Sequence, residues 1–184
     1  MSERERTRFA TCVEREQRRE LVRIALEFAK LEADRGAGEA VNEGNNQGPD
    51  VRAYRRGRGG RWLRGPWCAD FVSWCFEEAA AQLEVSLPFA RSSGAWRLTQ
   101  NLAEVGHMLD VGEWPVPGDV ICWRRGVGAS SWKGHVGIVA GYAVDGDTCW
   151  GIDGNRGKVP ALVAPWAFPR GLWRRRLRGI ARLA

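Results

Sequence analysis

The chain lacks any apolar run approaching the ~20 residues that cross a membrane. Its first segment, Met1 to Glu20, is charged and has no apolar core of a secretory signal. The expectation is synthesis in the cytoplasm. Action at the cell wall or periplasm, or carriage in a virion, would then need another delivery route. No Cys-x-x-Cys pair occurs, and the five cysteines are odd in number without regular spacing. A disulfide framework is therefore not expected, and the thiols read as reduced. Histidine is scarce, with only His107 and His135, so any imidazole chemistry must use one of them. Lysine is scarce too: Lys30, Lys133 and Lys158 are the only three among 28 basic residues. There is no internal repeat, low-complexity tract or dividing linker. The reading is a charged extension over 1–15 and a single domain over 16–184.

A hydrophobic fraction of 44% rules against wholesale disorder. The ten tryptophans can fill a core or line a groove for sugar rings, and composition does not separate these uses. A net charge of +6 favours anionic partners such as nucleic acid, phospholipid or an acidic wall polymer. Arginines 52, 55, 56, 58, 61 and 64, interleaved with Gly57, Gly59, Gly60 and Trp62, could bind nucleic acid. Solvated charge on a loop is the commoner use of such a run, so nucleic acid is not the favoured partner. An anionic surface or a component of a virion or delivery machine remains open for this stretch and for arginines 174–178.

Helical patterns come first. Leu21, Ala25 and Phe28 recur at helical spacing from about Glu16 to Asp34, where Arg35-Gly36 ends the helix. Residues 36–50 are turn-formers, and Val51 and Tyr54 suggest one short helical turn. A second helix runs from near Trp67 to about Gln82, and a third, capped by Ser92 or Ser93, to about Glu104. Strand patterns follow at 119–123, 134–143 and 147–153, with Leu172 to Ile180 as a last strand and 157–169 irregular. Helices before strands predict an α+β fold, with N-terminal helices packed on a C-terminal antiparallel β-sheet.

Chemistry concentrates at two places. Gly65-Pro66 stops what precedes it, so Cys68 falls in the first turn of a helix. Unpaired N–H groups and the helix dipole favour a thiolate there, although a small buried residue is an equally common use of cysteine. His135 begins a strand, and Asp153 and Asn155 on the next strand could orient its imidazole. For His135 and Asp153 to share a face, paired residue numbers across the hairpin must sum to an even number. A three-residue loop Val144-Asp145-Gly146, pairing Ala143 with Asp147, meets this condition. A two-residue loop does not, unless a bulge resets the register.

Three pieces resemble the CHAP family of cysteine amidohydrolases. They are Gly65-Pro66-Trp67-Cys68-Ala69-Asp70-Phe71-Val72-Ser73-Trp74, then Pro117-Gly118-Asp119-Val120-Ile121-Cys122-Trp123 followed by Gly134-His135-Val136-Gly137-Ile138-Val139, and Ile152-Asp153-Gly154-Asn155. The upstream Gly44-Asn45-Asn46-Gln47-Gly48-Pro49 is similar to the lead-in of family members in phage lysins. The resemblance implies a papain-like fold and peptidoglycan hydrolysis. The bond is either the N-acetylmuramoyl–L-alanine amide or a peptide bond of the stem or crossbridge. It implies Cys68 as nucleophile, His135 as base, Asp153 as orienting carboxylate and Asn155 as the asparagine that follows it. Asn45, Asn46, Gln47, Trp67 and Trp132 are the expected substrate contacts. No cofactor is implied. The calcium site of some family members is not expected, because residues 51–64 contain no Asp or Glu. Two other readings stay open: a papain-like amidase or isopeptidase on a non-wall substrate, and a catalytically idle structural or wall-binding module.

Overall fold

The computed structural model describes residues 3–56, 65–110, 113–125, 134–143, 146–171 and 176–184, with side chains from Cys12 onward. Four helices come first: α1 (Glu3–Asp34), α2 (Pro49–Tyr54), α3 (Cys68–Gln82) and α4 (Ala95–Val105). Strands follow: β1 (His107–Met108), β2 (Val120–Arg124), β3 (Gly134–Tyr142), β4 (Thr148–Arg156), β5 (Leu162–Pro169) and β6 (Leu177–Arg182). They form one antiparallel sheet in the order β1-β6-β2-β3-β4-β5. This is an α+β arrangement of the papain-like kind, with the helices N-terminal and the sheet C-terminal.

Helix α3 is the centre of the core. Cys68, Phe71, Val72, Cys75, Phe76 and Ala79 recur every three or four residues, and all are buried. Phe71 and Phe76 are fully enclosed, a burial worth roughly 1.5–3 kcal/mol for each ring. Tyr54 of α2 stacks on Trp67 at 5.5 Å and meets Phe71 edge-on at 5.3 Å. Phe28 of α1 meets Trp74 at 5.7 Å. Helices α1 and α2 thus both pack on α3. On the other sheet face a smaller cluster gathers Ile121, Trp123, Val139, Cys149, Phe168 and Ile180.

Several sequence expectations are corrected. Helix α1 begins at Glu3, not near Glu16. The stretch 3–15 mixes glutamates and arginines without Gly or Pro, and nothing in it breaks a helix. Residues 162–169, read as irregular, form β5. Pro165 and Pro169 hid it, but β5 lies at the sheet edge, where a missing N–H costs no ladder bond on the open side. The last strand is Leu177–Arg182, whereas residues 172–175 lie outside the described residues. Neither Ser92 nor Ser93 caps α4, which starts after Gly94. Ser93 instead donates to Asp70 at 2.7 Å.

Arg55 is not a surface charge. It is 4% exposed, and its Nε donates to Asp70 Oδ2 at 3.2 Å. Its two terminal nitrogens donate to the carbonyls of Asn46 and Gly65. One guanidinium thus ties the polar 42–49 loop and the approach to Cys68 onto the first turn of α3. Arg55→Ala leaves a buried carboxylate without its main cation, and such breaks cost about 3–5 kcal/mol. Denaturant unfolding should show a loss of that order, whereas a loss under about 1 kcal/mol would contradict the assignment. Arg58, Arg61, Trp62, Arg64, Arg174 and Arg175 lie outside the described residues.

Candidate active site

Cys68 is the first residue of α3, and the first intrahelical bond runs from Phe71 N–H to Trp67 C=O at 2.9 Å. The N–H groups of Cys68, Ala69 and Asp70 precede that bond and have no partner within the helix. The thiol is only 3% exposed. Burial alone would push it up, as it pushes Cys122 and Cys149 each to about 12 and Cys75 well above the usual thiol value. Cys68 goes the other way. The charge of His135, with the backbone of Val136 and the charge of Arg125, outweighs burial and holds it below the ordinary value. Of the buried cysteines, it is the one poised as a thiolate.

His135 opens β3 and is 1% exposed. Its Nε2 lies 3.0 Å from Asp153 Oδ2, and Asp153 is fully buried. Burial lowers the imidazole pKa, but the negative charges of Cys68 and Asp153 more than reverse this and raise it to about 9. Cys68 and His135 therefore stabilise each other's charges as a thiolate–imidazolium pair. The expected kcat/KM profile is a bell. Its acid limb falls where Cys68 gains a proton, below the usual thiol value. Its alkaline limb falls near pH 9, where His135 loses the proton needed by a leaving amine. A single rise through the free-thiol pKa of about 8.5, with no alkaline fall, would contradict the pairing.

The strand register explains how Asp153 reaches His135. The expected odd-length turn does not form. Ala143 N–H donates to Thr148 C=O at 2.8 Å and Tyr142 faces Cys149, so an even-length loop closes the hairpin. Val144 and Asp145 of the expected loop lie outside the described residues. A bulge between Val139 and Gly141 then resets the ladder, giving Val139 opposite Gly151 and Ile138 opposite Ile152. Continued one step, this register sets Gly137 against Asp153, diagonal to His135. A Cβ at Gly137 would lie 1.7 Å from Asp153 Oδ1, so the carboxylate occupies the space that a side chain at 137 would fill. Gly154 serves a similar end, because a Cβ there would meet Phe71 and Trp67 at 2.7 Å. Its absence lets β4 close onto α3.

The other expected contacts fare differently. Asn155 is half-buried, sits at φ 59, and makes no side-chain hydrogen bond among the described residues. The bond to the imidazole comes from Asp153. Trp67 is 0% exposed, with its indole N–H given to Glu39 at 3.2 Å. It is a core ring rather than the groove wall expected from sequence. Asn45 is exposed, and Asn46 is buried with its carbonyl bound to Arg55. Gln47 is half-buried, with its carbonyl accepting from Ala40 N–H at 2.9 Å. Trp132 lies outside the described residues. Sequence reasoning missed the roles of Arg55 and Gly137. The alternation that placed His135 and Asp153 on one face is the signal that would have exposed Gly137.

None of the curated proteins compared with the chain matches it. A family model described as CHAP domain matches residues 60–155, a span that includes Cys68, His135 and Asp153. That match covers half of the chain, and the chain belongs to the CHAP domain family, a family of cysteine-type amide hydrolases.

Proposed function

We propose that this protein hydrolyses an amide bond of bacterial peptidoglycan by acyl transfer through Cys68. The bond is either the N-acetylmuramoyl–L-alanine amide or a peptide bond of the stem or crossbridge. The observation that carries the reading is the buried line from Asp153 through His135 to a thiol whose pKa is lowered despite its burial. The Cys68 thiolate forms a bond to the amide carbonyl carbon, and the developing oxyanion meets the unpaired N–H of Cys68 at the start of α3. His135 gives its proton to the leaving amine as the C–N bond breaks. Water then adds to the thioester with His135 as base, and the S–C bond breaks. Asp153 holds the imidazole in the tautomer and orientation that both steps need. Such an enzyme suits an endolysin, a virion-borne wall hydrolase or an injected effector.

Mass spectrometry of purified peptidoglycan after digestion tests the reading. Muramic acid with a free lactyl carboxyl and no stem peptide marks the amidase, and new peptide amines mark the endopeptidase. Wild-type protein that releases neither would overturn the proposal.

A further inference from the structure

Trp67 is a core ring, yet it stands next to the nucleophile in the chain. It occupies the N-cap position of α3, where its carbonyl accepts the N–H of Phe71 and its side chain makes no capping bond. The indole reaches two other segments instead. One end of it, Cζ3, meets β4 at Gly154, where an added Cβ would lie 2.7 Å away. The opposite end, Nε1–H, donates to Glu39 Oε1 at 3.2 Å. The ring itself stacks on Tyr54, with the centroids 5.5 Å apart and the planes 27° from parallel.

The neighbours in the chain give these contacts their meaning. Trp67 directly precedes Cys68, and Gly154 directly follows Asp153. The indole therefore spaces the helix that carries the thiol from the strand that carries the carboxylate. Asp153 in turn holds His135 at 3.0 Å. A turn of the indole moves Cys68 relative to that pair, and the attraction between a thiolate and an imidazolium falls with their separation.

Glu39 fixes the rotation of the ring. It is 6% exposed and belongs to a short segment that runs along the start of β5. Gly38 bridges Leu162, Val163 N–H donates to Ala37 C=O at 2.7 Å, and Glu39 N–H donates to Ala161 C=O at 2.9 Å. The carboxylate divides its oxygens: Oε1 takes the Trp67 indole N–H, and Oε2 takes Ala161 N–H at 3.0 Å. Both partners are N–H donors, so two acceptor oxygens are needed. A glutamine has one oxygen and one NH2, and its NH2 would face an N–H.

We propose that Trp67, oriented by Glu39, is a positioning residue that sets Cys68 against His135. This rests on Cys68 as the nucleophile of the proposed reaction. It gives the tryptophan of the Trp-Cys pair a task that needs no contact with substrate.

The test reads the thiol and needs no wall substrate. Rates of Cys68 alkylation by iodoacetamide are measured by peptide mass spectrometry on folded wild type, W67F, E39Q and the double variant. The quantity compared is the rate at about pH 7 divided by the rate at about pH 10, which follows the fraction held as thiolate in neutral solution. W67F keeps an apolar ring without the N–H, and E39Q keeps the shape of the side chain. Each should lower the ratio about three- to tenfold, the net size of one lost hydrogen bond. The double variant should fall no more than about twofold below W67F, because Glu39 acts through the indole N–H. A ring with a packing role alone would lower the unfolding midpoint and leave the ratio where it was. An unchanged ratio in folded W67F or folded E39Q overturns the proposal, and so do losses that multiply in the double variant. W67F alone decides the matter if E39Q does not fold. Failure to digest peptidoglycan would sink the wall-hydrolase reading and leave this readout standing.

Discussion

Cys68→Ala is expected to abolish hydrolysis while the protein stays folded. Cys68 sits where α3 opens with unpaired N–H groups, and the charge of His135 helps hold its thiol below the ordinary value. Removing a nucleophile that acts as a unit with its base costs on the order of 10⁴-fold or more in kcat. Alanine keeps the apolar character of that helix face, and its helix propensity is the highest of all residues. The same substitution at Cys12, Cys75, Cys122 or Cys149 should leave the chemistry in place. Cys12 is exposed, and burial pushes the other three thiols up, away from the reactive form. Release of soluble fragments from purified peptidoglycan checks this. Activity that survives in Cys68→Ala and disappears in another cysteine variant would overturn the assignment.

A second large effect should come from a residue that carries no chemistry. Gly137→Ala places a methyl 1.7 Å from Asp153 Oδ1 and 2.9 Å from the Ile152 carbonyl oxygen. A ladder fixed on both sides cannot yield that much, so the carboxylate must leave its place beside His135. The enzyme then loses the group that orients the imidazole and supports its charge. In triads of this kind, loss of the orienting carboxylate costs up to about 10⁴-fold in kcat. Gly137→Ala should approach the loss seen in Asp153→Asn. Both variants should move the alkaline limb to lower pH, because Asp153 helps to raise His135 to about 9. A purely structural role would lower the amount of folded enzyme without moving that limb. Wild-type kcat in folded Gly137→Ala would show that Asp153 does not work from this position.

Much of this site was legible before the fold was known, and the misses have physical causes. Gly65-Pro66 located the start of α3, because a helix cannot begin before that stop. Alternation in β3 and β4 required His135 and Asp153 to share a face, and they do. The means differed: the turn has even length, and a bulge near Ala140 supplies the missing step. Turn residues advertise loop chemistry, whereas a bulge inside GHVGIVAGY has no local signature beyond its glycines. β5 was hidden because prolines argue against a strand unless the edge position is known. Trp67 and Arg55 were read outward from their residue types. Their burial depends on Glu39, Asp70 and Tyr54, which only the tertiary fold brings to them.

The account turns on a thiolate–imidazolium pair at Cys68 and His135. Site-resolved alkylation of Cys68 by iodoacetamide, followed from about pH 4 to pH 10 in the wild type and in His135→Ala, tests it most directly. The wild type should react below the ordinary thiol range and show a second rise near pH 9 as His135 loses its proton. His135→Ala should lose the reactivity below that range. A single rise at about pH 8.5, the same in both proteins, would contradict the account.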